Sequence, residues 1–265
     1  MNKSANNTIK LFPEPSTHDI SGPAHRQLIG IIGLLLPLAL WLLDGLRPTT
    51  GLQHWQPLAS VSAYYYTQAV SVLAGGLVAL TVFLLSYKGY NNEHGRYDRV
   101  AAIIAGLAAL LVAFFPTATP PNLTPLSWWT PKTGWIHYLS AVVLFSSFIF
   151  FCLIQFPRSE MKANLPWDKQ VRNYFYIFCG LAIAACLVWA AIASFKRASI
   201  FWQETWALEF FALSWLVKGH AEHTLVALGQ QTLQYIQDPR QLVDDIKNAM
   251  HSEQSAEPTA PPNNP

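Results

Sequence analysis

Apolar segments long enough to cross a bilayer recur along the whole of this chain, and nothing else in it restricts the fold so strongly. They fall at about 24–43, 69–87, 99–115, 136–156, 174–195 and 201–217. A helix rises ~1.5 Å per residue, so ~20 residues span the ~30 Å of hydrocarbon. The first, third and sixth segments have short apolar cores but keep the length. The expected fold is therefore all-α, a polytopic membrane bundle of six transmembrane helices.

The basic residues give the bundle a direction. Lys3, Lys10 and Arg26 precede or open the first segment, and Lys88, Arg96 and Arg99 lie between the second and third. Arg158, Lys162, Lys169 and Arg172 lie between the fourth and fifth, and Lys218, Arg240 and Lys247 follow the sixth. Thirteen of the 17 Lys and Arg thus occupy alternate gaps, which by the positive-inside rule are cytoplasmic, with both termini inside. A net charge of +2 spread over those gaps orients a membrane protein and gives no sign of nucleic-acid binding.

The organisation follows. Residues 1–23 are polar and lack the regions of a signal peptide, so a disordered lead is expected. Residues 24–219 form the six-helix domain. Residues 220–251 read as a cytoplasmic helical extension: Asp238-Pro239 supplies an N-cap and a first-turn proline for a short amphipathic helix carrying Leu242, Val243, Ile246 and Met250. Residues 252–265, ending EPTAPPNNP, read as a disordered tail. Cys152, Cys179 and Cys186 fall inside spans and read as small apolar packing residues.

Lipid offers no hydrophobic drive for helix association, so small residues must let backbones approach. Ser71 with Gly75, Ala102 with Gly106, and Gly180 with Ala184 are each four apart and are expected to form the seams. Pro37 is expected to bend the first helix.

Once leaflets are assigned, the aromatics divide unevenly. Trp41, Trp55, Trp128, Trp129, Trp135, Trp189, Trp202 and Trp206 map to the outer end, against Trp167 and Trp215 inside. An interfacial belt populates both faces, so eight of ten points to an outer cap with aromatic walls, suited to a lipid or other amphiphile. Beneath it Asp44, Ser60, Ser62, Tyr64, Tyr65, Tyr66, His137 and Glu204 could converge. Of these Ser62, Tyr64, Tyr65, His137 and Glu204 are the expected ligand-binding residues: tyrosines to stack, hydroxyls to hydrogen-bond, His137 and Glu204 to handle a proton or head-group charge. Glu209 joins them because it lies ~13 Å of helix before Lys218, near mid-membrane, where a carboxylate is costly and by default functional.

A second cluster lies on the cytoplasmic side. His220 and His223 are one turn apart, with His25, His94 and Asp98 at the same level. Such a pair can share zinc with a third ligand, and the zinc-dependent, ceramidase-like seven-helix hydrolases resemble this arrangement. Their late histidine pair is spaced by four, and this chain has one span fewer. No cofactor is expected on the leading reading, and zinc on this alternative.

The strings SVSAYYYT at 60–67, FLLSYKGY at 83–90, VAFFPT at 112–117 and SWLVKG at 214–219 resemble an uncharacterised group of bacterial six-helix membrane proteins, in order across all six spans. That resemblance implies inner-membrane residence. More remotely, Pro57, Ser60 and Ser62 in the first outer loop resemble the Pro-x-x-Ser-x-Ser element of the DRAM/FRAG-type six-helix superfamily, some members of which are tied to lipid remodelling. The function expected is binding of a membrane lipid or amphiphile at the outer mouth, with the zinc hydrolase as the alternative. The sequence leaves the oligomeric state open.

Overall fold

A computed structural model describes residues 22–46, 53–89, 95–121, 123–158 and 167–221. The lead up to residue 21, the extension beyond residue 221 with its amphipathic helix and His223, the loop carrying His94, and the tail lie outside the described residues. The regular structure described is helical: α1 (Pro23–Leu46), α2 (Val70–Ser86), α3 (Gly95–Phe114), α4 (Pro131–Phe150), α5 (Trp167–Phe195) and α6 (Phe201–Lys218). A 3-10 turn, Val61–Tyr66, precedes α2, and a π turn, Phe151–Gln155, prolongs α4.

Four helices have the length and apolarity to cross a membrane: α1, α3, α4 with its π turn, and α5. The apolar α2 is shorter, at 17 residues, and α6 has 18, with Gln203, Glu204 and Glu209 diluting its hydropathy. The outward faces are apolar all round, with Leu35, Val82, Leu107, Leu139, Leu181 and Val188 each about half exposed or more. A water-soluble domain does not expose apolar surface on this scale. The chain is a polytopic membrane protein.

Two helices begin well before their apolar segments. At α4, Thr130 and Thr133 form a reciprocal capping box with Pro131 in the first turn, which fixes the start ahead of Ile136. At α5, the polar turns from Trp167 are held by an Asp168–Arg172 ion pair at 2.9 Å, spaced i, i+4. Hydropathy marks the hydrocarbon, whereas caps mark the helix, so the two limits differ.

Each helix packs on its neighbours in the chain, and α6 returns to α1, so the six close into a ring. The α1–α6 seam is among the tightest. A Cβ on Gly30 would stand 2.9 Å from the Ala212 carbonyl oxygen and 2.7 Å from Leu216 Cγ, and one on Gly33 3.2 Å from Ala212 Cβ. This seam was not among those expected. Gly106 sits under α2, where the Thr81 hydroxyl reaches the Gly106 carbonyl at 3.2 Å, and Gly180 sits against Cys152 and Leu153. Gly75 corrects the expectation: nothing lies within 4 Å of its Cβ position, because α2 turns that face away from its neighbours.

The middle of the ring is filled. Tyr87, Phe148, Phe151, Phe156, Tyr176, Phe211 and Trp215 are buried in one edge-to-face and stacked aromatic cluster. Trp215 is thus a core residue and no part of an interfacial belt. Lys218 closes this end, its Nζ 5.5 Å over the Phe156 ring and donating to Phe156 O at 3.2 Å.

Candidate functional site

At the other end of the ring the segment from Leu58 to Thr67 forms a cap. Ser60 is extended, and its hydroxyl accepts from Ala63 N at 3.0 Å, starting the 3-10 turn as an N-cap does. Thr67 ends it, its hydroxyl donating to Tyr64 O and accepting from Ala69 N. No apolar periodicity could have disclosed so short an element.

Both flanks of the cap are tied down. On the α5–α6 side, Ile200 N donates to Ala59 O at 2.7 Å, and the Ser199 hydroxyl reaches Leu58 O and Ala59 O. One turn on, Glu204 Oε2 accepts from Val61 N at 2.6 Å. On the α3–α4 side, the Tyr66 hydroxyl donates to Thr117 O at 2.6 Å. Ser199 and Thr117 were missed by sequence reasoning, since each is a single polar residue in a short connection and gains its role only through contacts more than 50 residues away.

Under the cap lies a cavity of about 40 Å³. Its lining is apolar (Leu36, Leu73, Leu77, Leu144 and Phe145 among others) apart from Ser62 and Glu204. That is room for roughly three waters, or for the tip of a larger molecule. Of the expected site residues, the structure brings these two together.

The others stand elsewhere. Tyr64 is fully buried as part of the cap's own core, its ring 5.9 Å from that of Phe201. Burial pushes its phenol up to about 12, Asp44 adding to this and the backbone of Leu58 opposing it. Tyr65 is half-buried beside the Tyr66 ring and does not line the cavity. His137 is buried between α3 and α4, where its Nδ1 donates to Phe115 O at 2.7 Å, the carbonyl fixing the tautomer. Ala141, one turn further, reaches the cavity; His137 does not. Glu209 is half-buried midway along α6 and is absent from the cavity lining.

The aromatic walls are a further correction. Trp55, Trp128, Trp135, Trp189, Trp202 and Trp206 are each 45–74% exposed, and no tryptophan lines the cavity. They face outward around the cap end, as amphipathic rings at a membrane–water interface do. Trp55 is the most constrained: its φ is +62°, its carbonyl accepts from Trp41 Nε1 at 3.2 Å, and its ring covers Gly45.

At the opposite end, His220 follows α6 with a left-handed φ of 55°. Among the described residues no three His, Cys, Asp or Glu side chains stand close enough to hold a metal ion. No family model, curated protein or solved structure matches this chain.

Proposed function

We propose that this chain is a six-pass protein of a bacterial inner membrane, with both termini cytoplasmic, that binds a lipid or other amphiphile at its outer, capped end. Six crossings are supported by the ring itself. α2 sits between α1 and α3, and α6 between α5 and α1, so both run alongside helices of spanning length. Their ~26–27 Å of helix approaches the ~30 Å hydrocarbon thickness. The orientation rests on the 13 basic residues in alternate gaps.

The observation that carries the binding reading is the cavity under the cap. Ser62 and Glu204 are the polar members of an otherwise apolar lining drawn from α1, α2, α3, α4 and α6, the composition suited to the polar tip of a molecule with an apolar body. Ser62 and Glu204 are the groups that would hold that tip; the tyrosines support the cap.

Lipids retained by the purified full chain, surveyed by mass spectrometry, test this. Wild type should keep a defined amphiphile that Glu204→Gln and Ser62→Ala lose by roughly tenfold, as removal of one hydrogen bond implies. An identical lipid complement in wild type and both variants would end the reading. Reporter fusions test the orientation: Thr50 and Asn122 should report periplasmic, Asn91 and Gln254 cytoplasmic, and a periplasmic Gln254 would overturn it.

A further inference from the structure

A hollow larger than the cap cavity lies away from it, on the outer surface between α3 and α4. It is a groove of about 400 Å³, within the ~300–1,000 Å³ typical of organic-ligand sites, and its lining is almost wholly apolar. Tyr97, Val100 and Ile104 form one wall, and Val142, Ser146 and Phe150 the other. Because the helices are antiparallel neighbours, Tyr97 and Phe150 stand at one end and Ile104 and Val142 at the other, ~10–12 Å apart along the axis. The walls face the surroundings of the bundle, with Tyr97, Val100, Ile104 and Val142 each 46–61% exposed.

The Tyr97 end is cationic. The Arg158 guanidinium lies 5.8 Å over the Tyr97 ring, and its Nη1 donates to Gln155 Oε1 at 3.0 Å. Arg96 is exposed one residue before Tyr97 and one turn before Val100, on the row that leads into the groove. Gln155 is 95% buried, and its amide nitrogen has no hydrogen-bond partner among the described residues. The π turn that carries Gln155 sets both it and Arg158 beside α3. The Arg158 guanidinium therefore lies against the Tyr97 wall of the groove, and Arg96 stands at the same end, one residue before Tyr97.

We infer that this groove holds one acyl chain of an anionic phospholipid, with the phosphate between Arg96 and Arg158. The charge complementarity selects this occupant. A second copy of the chain would bring its own basic end to the same level and place arginine against arginine, whereas a zwitterionic lipid would leave the guanidinium groups without a net counter-charge. Basic pockets between spanning helices are suited to such head groups. The site is separate from the cap cavity and does not depend on the reading given to it.

The test uses the purified full chain in detergent, given equal amounts of phosphatidylglycerol and phosphatidylcholine with identical acyl chains, and reads bound lipid by native mass spectrometry. Two arginines near an anionic head group favour phosphatidylglycerol by about thirtyfold. The Arg96→Gln, Arg158→Gln double variant alters exposed side chains only and should bring that preference close to one. Ile104→Trp fills the apolar end and should lose the bound lipid while helix content by circular dichroism stays unchanged; Val142→Trp does the same from the facing wall. Equal retention of the two lipids by wild type, or a preference that survives the double variant, would overturn the inference. A lipid-free dimer dispersed by Ile104→Trp would assign the groove to a second copy and overturn it equally.

Discussion

Glu204→Ala is the sharpest probe of the cap. Glu204 Oε2 accepts from Val61 N at 2.6 Å, and Val61 is 5% exposed, so truncation leaves a buried backbone donor without its acceptor. An orphaned donor of this kind costs ~1–3 kcal/mol. The cost falls first on the cap, because the hydrogen bond that is lost joins this side chain to the 3-10 turn. Amide hydrogen exchange followed by mass spectrometry reads it directly: the peptide covering the 3-10 turn should exchange ~5–150-fold faster in the variant, with the middle of α3 unchanged. Glu204→Gln keeps an acceptor oxygen and should fall between wild type and alanine. If Glu204→Ala leaves exchange at Val61 unaltered, the carboxyl does not latch the cap. If exchange rises equally in α3 and the cap, the residue supports the whole bundle and the local argument fails.

Two further substitutions separate the seams. Gly30→Ala places a Cβ 2.9 Å from the Ala212 carbonyl oxygen and should destabilise the detergent-solubilised protein by ~1–3 kcal/mol, measured as a shift in denaturant midpoint, while Gly75→Ala, with nothing within 4 Å, should leave it unchanged or slightly raised. Tyr64 predicts an alkaline transition. Its folded pKa of about 12 lies above the ordinary 10, so its contribution is complete below pH 10 and is lost between pH 10 and 12, up to roughly 2–3 kcal/mol, as the unfolded chain ionises first. Unfolding of Tyr64→Phe across that window should be flatter than that of wild type.

Where apolar periodicity and length carry the information, the sequence told most of the fold. The helices from Pro23, Val70 and Phe201 begin within a residue of their apolar segments, since a bilayer enforces helix on any such run. The early starts of α4 and α5 lie in polar residues, and the Thr130-Pro131 signature was there to be read at the first. The seams were legible only in part, because a small residue permits close approach without saying to which neighbour: Gly30 and Gly75 look alike in sequence and differ entirely in surroundings. The site was least legible. Ser62 and Glu204 are 142 positions apart and meet only because the 3-10 turn folds back over α6. His137 looked equally available, but its ring nitrogen is committed to the Phe115 carbonyl in the adjoining connection. The tryptophan excess at one end was read as a pocket wall because counting by end carries no information about which way a ring faces.

The ring closes between its first and last members, and this has a consequence for biogenesis. A ribosome delivers α1 long before α6, so the Gly30 and Gly33 face waits for its partner while every intervening helix is made. α6 then enters as a keystone, sealing that face with Ala212 while carrying Glu204 up to Val61. The α1 seam and the cavity lining thus both depend on the final helix. A chain arrested before Phe201 would lack the helix that covers the glycine face of α1.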